Sequence, residues 1–67
     1  MQLTERDLQI VALVAAGMTN KEIAAKLGVT RSTVKTHLER MASRLKIQGQ
    51  DSRVSLVMFA LRNGLIK

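Results

Sequence analysis

The sequence predicts an all-α fold, a compact four-helix domain, on three observations. Apolar residues recur at helical spacing in four separate stretches, Thr residues stand where three of those helices would begin, and glycines stand where three would end. The composition agrees. Phe59 is the only aromatic residue and Pro and Cys are absent, so the core must come from Leu, Ile, Val, Ala and Met. The 67 residues make one domain, spanning 1–67. A chain this short buries only about 60% of the surface its unfolded form exposes, so the core has to be economical.

The first helix opens at Leu3-Thr4-Glu5-Arg6-Asp7. Thr4 is a good N-cap, and Asp7 three residues later completes a capping box in its shorter-acid form. Asp7, Ile10, Val11 and Val14 share one face, while Leu8, Leu13 and Ala15 carry apolar character round much of the rest. Such a helix is expected to be enclosed by others on more than one side. It should end at Gly17, which can take the left-handed C′ conformation. Thr19-Asn20-Lys21-Glu22 is a second capping box, opening a helix with Ile23, Ala24 and Leu27 facing inward. That helix is about two turns long and needs tertiary contacts to persist. Gly28 ends it, Val29 plugs the turn and Thr30 caps the next helix.

From Thr30 to Lys46, Val34, Leu38, Met41 and Leu45 recur at i, i+4, i+7 and i+11, a narrow apolar seam. The far side carries Ser32, Lys35, Thr36, Glu39, Arg40 and Ser43. Five of the chain's eleven basic residues (Arg31, Lys35, Arg40, Arg44, Lys46) lie on this one element, against a single acid, Glu39. A short helix, a three-residue turn containing Gly, and a longer basic helix are the grammar of a helix-turn-helix, whose second helix enters the major groove. An αα-hairpin in any small bundle has a broadly similar pattern. A polar loop from Ile47 to Ser52, around Gly49, leads to a fourth helix from Ser52 or Arg53 to Asn63, with Gly64 beyond it. Leu56, Val57, Ala60 and Leu61 are its expected inner face, with Leu65 and Ile66 folding back over the bundle.

The formal charge is +6, which points to a polyanionic partner, nucleic acid or an anionic membrane. The longest apolar run, Ile10 to Met18, has nine residues, about half of what a membrane span needs. No basic segment precedes it as in a secretory signal, and an intracellular, cytoplasmic chain is expected. His37 is the only histidine and no Cys can complete a site with it, so neither a metal nor another cofactor is expected. The serines have no His–carboxylate relay and there is no phosphate-binding loop, so catalysis is not expected either.

Leu3-Thr4 with Arg6, Gly17-Met18-Thr19-Asn20-Lys21-Glu22-Ile23-Ala24, Leu27-Gly28-Val29, Thr33-Val34-Lys35-Thr36-His37 and the closing Ala60 to Ile66 together resemble the LuxR/GerE-type helix-turn-helix family. That family supplies the DNA-binding domain of many bacterial transcription regulators. The match runs nearly end to end, and the block from Asn20 to His37 agrees in spacing, caps and apolar positions. The resemblance implies a third helix that reads the major groove and a fourth that often mediates dimerisation. It places Lys35 and Thr36 at groove-facing positions, and Thr19, Asn20, Lys21, Ser32 and Thr33 near the phosphate backbone. It also implies an output domain of a response regulator or ligand-sensing activator, with an N-terminal regulatory domain absent from this chain. The chain departs from the pattern in its loop before the fourth helix, which is about three residues longer than usual.

Lys35 can donate to guanine O6 and N7 or hold a phosphate, and Thr36 can meet a thymine methyl or donate through its hydroxyl. Glu39 is the third candidate for base contact, as an acceptor from cytosine N4; its alternative is an i,i+4 pair with Lys35 or Ser43. Thr33, Arg40 and Arg44 fall on one flank of the helix with His37 beside them, and Arg31, Lys35 and Lys46 lie toward the other. Those flanks suit the two phosphate strands bordering a groove. Arg44 and Lys46 can equally serve the helix C-terminus, and His37 the edge of the core. Val54, Ser55, Met58 and Arg62 are the expected dimer face on the fourth helix, with Val54 and Met58 an exposed apolar pair. The reading is therefore sequence-specific binding of double-stranded DNA as a homodimer that regulates transcription. Its rival is a small helical protein-interaction module docking on an acidic partner.

Overall fold

A computed structural model describes residues 3–47 and 52–66, and its regular structure consists of four helices. They are α1 (Glu5–Ala15), α2 (Asn20–Leu27), α3 (Arg31–Arg44) and α4 (Ser52–Arg62). The expected loop around Gly49 falls, over residues 48–51, outside the described residues.

Each of the first three helices starts at the residue the sequence marks. The Thr4 hydroxyl accepts from the Asp7 amide at 3.1 Å while an Asp7 carboxylate oxygen accepts from the Thr4 amide at 3.0 Å, so two orphan N–H groups are satisfied reciprocally. Thr19 and Glu22 repeat the arrangement at 3.1 and 2.9 Å. Thr30 accepts from the Thr33 amide at 3.1 Å and closes the turn into α3.

All four helices end in the same way. A residue just past the last turn adopts positive φ, and the residue after it donates back to the carbonyl five positions earlier. Gly17, Gly28 and Gly64 occupy that position after α1, α2 and α4. After α3 the residue is Lys46, with φ 58°, and Ile47 donates to the Ala42 carbonyl at 2.8 Å. This corrects the expected helix from Thr30 to Lys46. The last helical residue is Arg44, and Lys46 leaves the flank it was expected to share with Arg31 and Lys35.

The core is built from Leu3, Ile10, Val11, Ile23, Ala24, Val34, Leu38, Met41, Leu56 and Ala60, with Val29, Val57, Phe59, Leu65 and Ile66 packed against it. As its broad apolar face requires, α1 packs against α2, α3 and α4. Truncating a fully buried residue such as Ile23 to Ala costs about 2–5 kcal/mol, a large share of what so small a domain holds. One expectation fails here. Leu61 is 44% exposed rather than inward, while the inner face of α4 is Leu56 and Ala60. Leu61 lies three residues beyond Met58 and seven beyond Val54, so these three make one exposed apolar stripe.

Candidate nucleic-acid interface

The seam of α3 is fully used by the core. Val34, Leu38 and Met41 are buried, together with Ala42, and this fixes which side of the helix faces outward. Ser32, Lys35, Thr36, Glu39 and Ser43 are all exposed on that outer side. Arg31, Thr33, Arg40, Arg44 and Lys46 are exposed as well, and His37 is half-buried. Lys35, Thr36 and Glu39 thus share one solvent-facing surface, as their spacing predicts. Glu39 forms neither an ion pair with Lys35 nor a hydrogen bond with Ser43 among the described residues, so the structural explanation offered for it is not realised.

The remaining candidates lie at the start of α2, which packs against α3. Thr19 and Lys21 are exposed and Asn20 is half-buried. The Thr19 amide and hydroxyl hold the Glu22 carboxylate at the cap and lower its pKa below the ordinary 4.5. The side-chain oxygen of Asn20 accepts from Arg53 Nη1, and Arg53 Nη2 donates to the Met18 carbonyl at 2.9 Å. Thr33 has its hydroxyl 3.0 Å from that of Thr30, within the α3 cap.

The two polar features missed in the sequence are Arg53 and the buried charge at Asp7. Asp7 is 0% exposed, the only buried charged residue among those described. Its Oδ1 lies 2.8 Å from His37 Nδ1 and 3.6 Å from Arg40 Nη2, both on α3. An anion on a buried face must find partners, and that was the signal available: Asp7 shares its face with Ile10 and Val11. Burial pushes the Asp7 carboxyl up, but the hydrogen bond from His37, those from Thr4 and the His37 charge together hold it below the ordinary 3.8.

Arg40 Nη2 also lies 3.0 Å from His37 Nδ1. Nδ1 cannot accept from Arg40 and donate to Asp7 at once. A nitrogen lone pair 2.8 Å from a carboxylate oxygen would be repelled, so Nδ1 carries the proton and donates to Asp7. Arg40 then acts on Asp7 as a charge.

A four-helix domain with an internal helix-turn-helix and a solvated basic second helix is of the DNA-binding regulatory class, not an enzyme. The sequence matches the bacterial regulatory proteins of the luxR family over residues 1–60, and the chain belongs to that family. It is 44% identical over 64 residues to the uncharacterized transcriptional regulatory protein YxjL of Bacillus subtilis, covering 96% of this chain and 28% of that protein. It is 40% identical over 65 residues to the response regulator protein VraR of Staphylococcus aureus and of Staphylococcus epidermidis, covering 97% of this chain and 30% of each. The chain therefore spans less than a third of the length of these relatives. Among the described residues, no helix is long and apolar enough to cross a membrane.

Proposed function

We propose that this domain binds double-stranded DNA sequence-specifically, as a homodimer, with α3 in the major groove. The observation that carries the reading is the outward face of α3, where Lys35, Thr36 and Glu39 stand exposed opposite a fully buried apolar seam. Side chains so placed can reach base edges without disturbing the core, and these three are the base-contact residues. Arg31, Ser32, Thr33, His37, Arg40 and Arg44, with Thr19, Asn20 and Lys21 at the start of α2, contact phosphates and set the register. Because Arg53 occupies the oxygen of Asn20, the amide nitrogen is left as the donor for a phosphate.

The dimer reading rests on α4. Val54, Met58 and Leu61 are 62%, 50% and 44% exposed at i, i+4 and i+7, a stripe that a second copy can cover, with Ser55 and Arg62 beside it. The relatives named as response regulators support an output role for this domain under an N-terminal regulatory domain in the bacterial cytoplasm.

Selecting bound sequences from a random duplex pool tests the function. Two related half-sites at a fixed spacing are expected. Failure to bind duplex with salt sensitivity and a preference for one sequence over bulk DNA would instead favour the acidic protein partner. Sedimentation of Met58→Asp on a two-site duplex tests the dimer, and unchanged cooperative occupancy would rule out the α4 stripe.

A further inference from the structure

His37 bonds inward through one ring nitrogen only. Nδ1–H is committed to Asp7, whose side chain is wholly buried, while the His37 side chain is 19% exposed. Nε2 has no hydrogen-bond partner among the described residues, and no buried side-chain nitrogen or oxygen lacks one, so Nε2 reaches solvent. In a neutral ring whose proton is on Nδ1, Nε2 is a lone pair and can only accept. The non-bridging oxygens of a phosphodiester are acceptors too. Moving the proton to Nε2 would leave a lone pair facing the buried carboxylate at 2.8 Å.

We infer that His37 contacts a DNA phosphate only as an imidazolium, held between the Asp7 carboxylate and the phosphate, so that any ring that is neutral in the free protein takes up its proton from solvent on binding. The inference rests on the DNA-binding reading above and adds its proton linkage. Asp7 is a positioning residue in this arrangement: it fixes the ring and balances its charge. From α1 the ring faces Asp7, and on α3 it lies beside Arg40; α2 and α4 supply no ion-pair partner to it among the described residues. Arg40 opposes the extra positive charge, and the incoming phosphate offsets it. With its side chain 45% exposed, Arg40 is also free to turn outward once the imidazolium balances Asp7.

Phosphate contact needs no particular base sequence, so a mixed-sequence duplex serves as probe. Affinity is measured at constant salt from about pH 6 to about pH 8, the range in which imidazoles change charge. Calorimetry in buffers of different ionisation enthalpy counts the protons taken up. Wild-type affinity is expected to fall as pH rises, with a limit of about tenfold per unit for one proton per copy. His37→Gln should bind with a flat profile and no uptake at this site. Asp7→Asn, checked for helical fold by circular dichroism, should take up less than the wild type. Lys35→Ala should keep the wild-type slope at lower affinity. Tight wild-type binding without proton uptake, or unchanged uptake in His37→Gln, overturns this inference and leaves the DNA reading standing. If the wild type shows no salt-sensitive duplex binding at any pH, both fall.

Discussion

Arg53 of α4 reaches across to Asn20 at the first turn of α2, donating from Nη1 to the amide oxygen and from Nη2 to the Met18 carbonyl at 2.9 Å. One guanidinium thereby fixes the start of the helix-turn-helix to the helix that carries the exposed Val54, Met58 and Leu61 stripe. Hydrogen bonds from a charged donor are worth about 1.5–3 kcal/mol. Arg53→Ala should therefore lower stability by roughly 1–3 kcal/mol in urea unfolding. A loss within error of zero would mean that α4 is held by its apolar contacts alone.

A gain is expected at Lys46. Left-handed backbone costs an ordinary L-residue about 1–2 kcal/mol, and Lys46 adopts φ 58° where the other three helices place glycine. Lys46→Gly should stabilise the domain by about 1 kcal/mol or less, since glycine also gives the unfolded chain more freedom. Chemical denaturation decides it, and equal or lower stability would show that the lysine side chain contributes more than its backbone costs.

Asp7 sets an acid limit. Its folded-state pKa lies below the ordinary 3.8, so its contribution is complete above that value and is lost as pH falls through the folded-state pKa. Asp7→Asn should start less stable at neutral pH and lose less between about pH 5 and about pH 2. Glu22 is shifted the same way at the surface, so Glu22→Gln separates its share. Thermal midpoints across that range provide the readout. Parallel curves for wild type and Asp7→Asn would remove Asp7 from the acid response.

These residues also mark what the sequence made legible. Thr4 with Asp7 and Thr19 with Glu22 are partners three residues apart, so both capping boxes could be read locally. The α3 partners of Asp7 and the partners of Arg53 lie 30 to 35 positions away, and only the packed fold brings them together. Periodicity does not single out the inner face of α4, which is apolar on most sides, and so puts Leu61 inward. No glycine marks the end of α3, where a lysine makes the turn, and the apolar spacing alone therefore runs two residues too far. The exposed face of α3 was legible because its seam is narrow, and once Val34, Leu38 and Met41 are inside, the rest must point outward.

Lys35 is exposed beside that face, with no ion pair among the described residues. If it donates to a guanine edge, Lys35→Ala should weaken binding to a selected site by roughly 1–3 kcal/mol and relax preference at one base position. Competition binding on point-substituted duplexes reads this directly. Equal losses on selected and random duplexes would make Lys35 a phosphate ligand instead.

If the outer face of α3 meets DNA as proposed, Glu39 is the residue least at ease there, because a carboxylate is repelled by phosphates. A helix pair with Lys35 could have justified it at about 0.2–0.5 kcal/mol, but no such ion pair forms. Readout is the role proposed for it instead. A carboxylate can accept from the N4 amine of cytosine and penalises sites that present acceptors there, exchanging affinity for discrimination. Glu39 lies one turn beyond Lys35 and is exposed with it, which suits two contacts within one groove. Glu39→Gln should then raise affinity for random duplex while narrowing the gap between selected and random sites. Both affinities must be measured at the same salt, since the electrostatic contribution would otherwise hide the difference. If the substitution raises the two by the same factor, Glu39 is a charge near DNA and reads no base.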